Sequence, residues 1–396
     1  MRIALVADTF PPLRTSGAVQ LRDLSRGFAR QGHKLTVILP SADLDRPWTI
    51  DEFGGVTVLR LRAAEMKNVG YIRRTLAECS MPFFMMHSFR KTPLASTKWD
   101  GVVFYAPSIF HGPFVSSLKK QSDCKSYLVV RDIFPQWAVD LGLMWRGLPY
   151  IFFNWIARYQ YSVADTIGIQ TEGNSGYFKD WVNKYGRVLE VLPNWLDRAS
   201  HVPCSIRIEK TKFANRKVFV YAGNMGVAQG LDIVVDLAER MADRNDVGFL
   251  FVGRGTHSEK LRDAAKKRNL DNVLFYDEID PDEIPNLYAQ CHVGIVSLDK
   301  GHKSHNIPGK FLTYMQSGLP VLASINRGND LAKLIDRENV GRVCESFLLD
   351  ELDGHAEALL EQIERDAALP DRCRALFDKE FSVDRTVRQI VSALAR

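Results

Sequence analysis

The chain has 396 residues, 46% of them hydrophobic, with 52 Lys+Arg against 47 Asp+Glu and a formal net charge of +5. This length exceeds what one core usually organises, so two domains of about 150 to 200 residues each are expected. The six cysteines (Cys79, Cys124, Cys204, Cys291, Cys344, Cys373) have no paired spacing, which argues against a disulfide framework or a structural zinc site and for reduced thiols in a cytoplasmic protein.

No signal peptide or membrane span is read at the start, where MRIALVADTF is too short and runs directly into helical patterning. Charge is uneven. Residues 1–200 hold 25 Lys+Arg against 17 Asp+Glu, the remainder 27 against 30, and between Arg60 and Lys125 eleven basic residues face four acidic ones. Such a region attracts phosphate-bearing partners or is an ordinary solvated face.

In chain order, IALVAD, a turn containing Gly17, a helix to Arg30 and HKLTVIL form a βαβ opening, the local mark of a doubly wound sheet. Strands follow at VTVLRL, GVVFYA, KSYLVV, TIGIQ and VLEVLP. The polar stretch Arg198 to Lys217 carries Pro203 and no periodicity, as a connection between domains does. The pattern then restarts with KVFVYAG, the turn NMGVAQG and the helix LDIVVDLAERMAD, followed by strands GFLFVG, VLFYD, VGIVSL and PVLAS. The expected division is 1–203, an N-terminal Rossmann-like domain; 204–379, a second one; and 380–396, an amphipathic helix that caps the second domain or returns to the first.

Short motifs recur in a definite order. They are Phe10-Pro11-Pro12 with Ser16-Gly17 and Gly32-His33, then Ala222 to Gly226 with Gln229-Gly230, Val252 to Gly255, Gly309 to Phe311, and Gly318 to Pro320. In this order they resemble the large retaining glycosyltransferase family four. The resemblance implies a GT-B fold, an α/β architecture of two Rossmann-like doubly wound domains facing across a cleft, with the acceptor on the first and the nucleotide sugar on the second. The run Val130 to Pro135 with Ala138 to Gly142 is similar to a bacterial subgroup that builds O-antigen, capsule or colanic acid. It implies transfer of an N-acetylated amino-deoxysugar of the fucosamine type, from a UDP-linked donor, to a polyprenyl-diphosphate-linked saccharide. The chain departs from the family where a Glu, seven residues and a second Glu are common: these positions read His305 and Thr313. Asn224 and Gln229 stand where a basic pair is usual, and Gln229→Lys is expected to restore part of that charge.

Sugar transfer from a nucleotide diphosphate needs stabilisation of charge on the departing phosphates, by amides at a helix N-terminus and nearby cations. Lys310 is the expected charge, with the amides of Gly309 and Phe311 beside it. Gly17, Gly223, Asn224, Gln229, Arg254, Glu172, His305 and Thr313 complete the expected donor-binding set. Asp132, after the strand KSYLVV, is the expected acceptor- or sugar-positioning carboxylate, paired with Arg131 and held ionised by it; structural ion pairing is its alternative. His111 reads as a loop histidine. The retaining mechanism implied by the resemblance uses the departing phosphate as base, so neither a protein nucleophile nor a metal or other cofactor is expected; no Asp-X-Asp cluster precedes a cleft strand.

A lipid-held acceptor implies docking on the anionic inner face of the cytoplasmic membrane. Residues 66–93 mix Met, Phe and Tyr with Arg and Lys as an interfacial helix does, whereas 144–162, with Trp145, Phe152, Phe153 and Trp155, reads as a buried core helix. Competing readings are a sugar-nucleotide 2-epimerase and a non-catalytic sugar-nucleotide- or lipid-binding protein. Nucleic-acid binding is disfavoured because the basic stretch is interrupted by an apolar run and carries no base-reading motif.

Overall fold

The computed structural model describes every residue except 14, 66–69, 141, 200–201 and 301–306. The chain divides into two compact units, Met1–Asp197 with Val383–Arg396, and Arg198–Ser382.

Unit 1 runs β1 (Arg2–Val6), α1 (Ser16–Arg30), β2 (Lys34–Ser41), β3 (Trp48–Phe53), β4 (Val56–Arg62), α2 (Tyr71–Phe89), β5 (Gly101–Ala106) and α3 (Gly112–Ser122). It continues through β6 (Lys125–Val130), α4 (Gln136–Asp140), α5 (Leu148–Val163), β7 (Thr166–Ile169), α6 (Lys179–Asn183) and β8 (Val188–Val191). The strands are ordered β3-β4-β2-β1-β5-β6-β7-β8, all parallel except the β3–β4 pair. Helices on both faces bury the central strands, hence their nearly unbroken apolar runs. The strand β3 escapes a hydropathy reading because Asp51 and Glu52 sit on it; it is an edge strand, turned back on β4 at Gly54 and Gly55, both with positive φ.

Unit 2 runs β9 (Lys217–Ala222), α7 (Asp232–Arg240), β10 (Val247–Val252), α8 (Ser258–Lys267), β11 (Val273–Tyr276), α9 (Ile284–Tyr288) and β12 (Val293–Ser297). Then come α10 (Gly309–Gln316), β13 (Val321–Ser324), α11 (Asp330–Glu338), β14 (Gly341–Cys344), α12 (Leu349–Arg365) and α13 (Leu369–Leu376). Its sheet, β11-β10-β9-β12-β13-β14, is parallel throughout. Stacked rings cross the strands, with Phe219 on Phe249 at 5.0 Å and Phe251 on Phe275 at 4.8 Å between centroids.

The division falls earlier than residue 203. Asp197 is held in unit 1 by Arg30 at 2.7 Å, and its amide donates to Asp23 Oδ2 at 3.2 Å. Residues just beyond are fastened to unit 2, where Gln290 accepts from the Ile208 amide at 3.0 Å and donates to the Ile206 carbonyl at 3.0 Å. The last helix, α14 (Val383–Ala395), belongs to unit 1. Val387, Ile390 and Leu394 enter the core with Leu21, Leu24 and Phe28 of α1. A Cβ on Gly101 would lie 2.7 Å from Leu394 Cδ1, so helix and strand meet at a distance set by glycine.

The turns after β9 and β10 meet backbone to backbone. Gly253 has φ +140°, and a Cβ there would overlap the Gly223 carbonyl; Gly255 has φ +154°, and a Cβ would overlap the Met225 carbonyl. The Gly223 amide donates to Val252 O at 2.9 Å and the Met225 amide to Arg254 O at 2.8 Å. Gly253→Ala combines unfavourable φ with backbone overlap and is expected to cost about 3 kcal/mol or more, read as a lowered thermal unfolding midpoint. Gly309→Ala, whose Cβ meets nothing within 4 Å, is expected to leave that midpoint nearly unchanged.

Candidate functional site

In unit 1 the strand order reverses at β1, between β2 and β5, and open α/β sheets take ligands at the carboxyl ends of strands beside such a point. A cavity of about 410 Å³ lies there, its wall supplied by the ends of β1, β5, β6 and β7 and the start of α1. Thr15 caps α1, accepting from the Ala18 amide at 3.3 Å. Gly17 lines the cavity, and a Cβ on it would come to 3.2 Å from Thr9 Cγ2 and 3.5 Å from the Tyr105 hydroxyl.

Carboxamides form the floor. Tyr105 donates to Gln20 Oε1 at 2.8 Å, Gln20 Nε2 to Asn194 Oδ1 at 2.9 Å, Asn194 Nδ2 to Gln170 Oε1 at 3.4 Å, and Gln170 Nε2 to the Arg131 carbonyl at 3.0 Å. Such a chain fixes each amide's orientation and presents donors and acceptors without mobile charge. Burial pushes the Tyr105 hydroxyl up to about 12, so it remains a neutral donor.

Arg131 is buried in this wall, its Nη1 donating to Leu192 O at 3.3 Å and its guanidinium lying 4.2 Å from the Trp195 ring centroid. Burial lowers its pKa to about 10, and it stays charged at neutral pH. Asp132 also lines the cavity. Arg131 favours its ionised form, as expected, while desolvation is the larger influence and raises the Asp132 pKa. Glu172, itself exposed, begins a 3-10 turn and is not among the cavity's lining residues. His111 is fully buried, with no partner for either ring nitrogen, and burial lowers its pKa to about 4, so it is neutral.

In unit 2, the side chain of Lys310 reaches back from the start of α10 to the end of β9. Its Nζ donates to the Tyr221 hydroxyl at 2.7 Å, and a Cβ on Gly223 would lie 3.9 Å from it. Tyr221 in turn donates to Asn224 O at 2.6 Å, so one phenol orients both the lysine and the glycine turn. The Lys310 side chain keeps partial exposure, but desolvation of its ammonium pulls the pKa down to about 7.

The other expected donor-binding residues have mixed placements. Gln229 Oε1 accepts from the Gly226 amide at 3.1 Å and from Asn224 Nδ2 at 3.4 Å. Gln229 therefore latches the turn, and lysine, which has no acceptor, would open the latch rather than simply restore charge. Arg254 is exposed and paired with Glu278 at 2.6 Å. Phe311 is buried against Phe381, and its amide donates to Pro308 O at 3.0 Å, so the expectation that this amide serves phosphate is corrected. Gly309 is exposed at the first position of α10, where helix geometry leaves the leading amides without intrahelical acceptors. Thr313 lies partly buried on α10. His305 lies outside the described residues. Among the described residues no group of three or more His, Cys, Asp or Glu gathers as metal ligands.

Residues 216–365, within unit 2, match the family model described as Glycosyl transferases group 1. Over that stretch the chain is similar to the group 1 glycosyltransferases. It is 23% identical over 367 residues, 88% of this chain and 86% of the relative, to the putative colanic acid biosynthesis glycosyl transferase WcaI of Escherichia coli (strain K12). Among solved structures it is similar to Anabaena Alr3699/HepE in complex with UDP and glucose, at TM-score 0.65 and 16% identity over 99% of both chains. It is also similar to WaaG, a glycosyltransferase involved in lipopolysaccharide biosynthesis, at TM-score 0.62 and 16% identity over 98% of this chain and 99% of that one. Two α/β units with largely parallel sheets match the GT-B fold.

Sequence reading missed Gln20, Tyr105, Gln170, Asn194 and Tyr221. Amides and tyrosines carry no periodic signal, and four of these five were found only by the folding together of distant strand ends. The available cue was the strand end: Tyr105 and Tyr221 stand next to last in β5 and β9, and Gln170 and Asn194 follow β7 and β8, whereas Gln20 on α1 offered none. Competitive amine labelling is expected to show Lys310 half-protonated near pH 7, against about 10.4 for ordinary surface lysines. Tyr221→Phe removes the acceptor of the ammonium and is expected to move that midpoint lower still.

Proposed function

We propose that this chain is a retaining, metal-independent glycosyltransferase. It moves a sugar, an N-acetylated amino-deoxyhexose in our reading, from a UDP-linked donor to a polyprenyl-diphosphate-linked saccharide in surface-polysaccharide synthesis. The observation that carries the reading is Lys310 held at the glycine-only end of β9 within the group 1 domain. Support for the donor comes from HepE, whose structure holds UDP and glucose; support for the pathway comes from the colanic acid and lipopolysaccharide relatives.

In the proposed reaction Lys310 and the first amides of α10 stabilise charge as the bond from the sugar to the diphosphate breaks. The departing phosphate takes the acceptor proton, so no protein nucleophile is assigned. Asp132, Arg131 and the carboxamide floor of unit 1 orient acceptor and sugar hydroxyls. A docked position on the inner face of the cytoplasmic membrane brings the enzyme to its lipid-held acceptor. A second reading, sugar-nucleotide binding without turnover, is favoured by one observation: Asn224 and Gln229 bond to each other where cations are usual, and Arg254 is engaged by Glu278.

The test offers UDP-sugars with polyprenyl-diphosphate saccharide and reads transfer, the anomeric configuration of the product and the effect of chelator. Lys310→Ala is expected to cost about 3 kcal/mol of transition-state stabilisation, roughly a hundredfold in rate. Asp132→Asn is expected to lower turnover with UDP affinity nearly unchanged. Donor binding without release of UDP supports the second reading, and a changed sugar without acceptor supports an epimerase.

UDP affinity of the wild type is expected to fall as pH rises from 6 to 8, because the free Lys310 is charged below about 7 and neutral above it. Lys310→Ala removes the part of that dependence that belongs to the lysine, leaving only the titration of the UDP phosphate.

A further inference from the structure

The helix α5 presents its apolar stripe outward. Leu148, Ile151, Trp155 and Tyr159 follow one another at helical spacing of three and four residues, with Phe152 on the same stripe, and all are exposed, Leu148 by 80% and Trp155 by 69%. The opposite side, with Ala157, Gln160 and Tyr161, is the buried one. This corrects the reading of 144–162 as a core helix: the apolar content exceeds what one buried face needs, and the surplus faces out. Just before α5, Leu143 and Trp145 are also exposed, each by 72%. The Trp145 ring rests on Gly147, where a Cβ would overlap it, so the indole is positioned by the helix entry.

Charge selects the occupant. Residues 141–164 contain Arg146 and Arg158 and no Asp or Glu, and Arg146 is exposed. A second copy apposed stripe to stripe would bring like charges together with no carboxylate between them. Anionic headgroups supply the missing negative charge, and Trp, Tyr and Phe are the side chains that settle at a bilayer interface. Among the described residues no helix is long and apolar enough to cross a membrane, so the geometry is that of a helix lying on the surface. The first turns of α2 fit the same face. Tyr71, Ile72 and Leu76 are exposed beside Arg73 and Arg74, whereas Met81, Met85 and Phe89 farther along pack in the core that also receives Ala157 and Tyr161 of α5.

We propose that the outward stripe of α5, with Trp145 at its head, is the element that inserts into the headgroup layer of an anionic bilayer. This deepens the membrane-held acceptor reading, but its test needs no turnover. The full chain is floated with phosphatidylcholine vesicles containing about one-third phosphatidylglycerol and with phosphatidylcholine alone. Wild type is expected to float with the anionic vesicles and to show quenching of Trp emission by brominated acyl chains. The variant Leu148→Ser, Ile151→Ser, Trp155→Ser is expected to lose at least about tenfold in partitioning with an unchanged unfolding midpoint, and Arg146→Glu about fivefold on anionic vesicles only.

If the triple variant fails to fold, quenching in the wild type and Arg146→Glu still decide. Wild type that stays in solution, unquenched Trp, wild-type partitioning of the folded triple variant, or a concentration-dependent dimer that this variant abolishes would each overturn the proposal. Vesicle binding by a chain inactive in sugar transfer tells against the transfer reading alone, and transfer to a water-soluble acceptor without vesicle binding tells against the bilayer alone.

Discussion

The glycine crossing between β9 and β10 is the constraint on which unit 2 depends. Gly223, Gly253 and Gly255 all have φ between +138° and +154°, a region that side chains rarely enter. Because the latter two lack a Cβ, the two strand-end turns touch backbone to backbone, and the Gly223 and Met225 amides find carbonyls across the contact. The open space above Gly223 receives the Lys310 amine. Tyr221, the next to last residue of β9, joins turn and lysine through one hydroxyl. Backbone geometry, a phenol and a cation therefore form one mechanical unit rather than three neighbouring features.

Unit 1 reaches a polar strand end by different means. Its buried cation, Arg131, is balanced by the face of Trp195 and by a carbonyl, and the Trp195 indole donates to Gln20 O at 2.8 Å. Gln20 thus links the indole, Tyr105 and Asn194. Buried polar groups are costly when unmatched, and a connected chain of amides meets that cost while fixing the direction of each donor. The result is an oriented wall of amides beside two carboxylates, Asp8 and Asp132, and one guanidinium, suited to hydroxyl-rich ligands more than to a multiply charged anion.

Charge in the two units is economical. The exposed Arg254 is engaged by Glu278, and Asn224 and Gln229 serve the shape of the turn. Desolvation draws the Lys310 ammonium toward neutrality until an anion arrives. An anion beside the amine would restore its preference for the proton, so that charge on this lysine and binding of the anion would be linked.

The alternation of apolar strands with amphipathic helices determined two doubly wound units, since strand and helix periods are written directly in the order of residues. The glycine motifs likewise marked the turns after β9 and β10. Edge strands β3 and β14 stayed hidden because they are short or charged, and pairing rather than composition makes them strands. Tertiary structure alone decided which face of α5 is buried, because the helix is apolar nearly all round and sequence period cannot choose among equivalent stripes. It alone brought Gln20, Tyr105, Gln170 and Asn194 together from residues up to 174 positions apart, and seated Lys310 against Tyr221 across 89 positions. Local propensity acts over a few residues, whereas a hydrogen bond between strand ends exists only once the sheet has set their order and register.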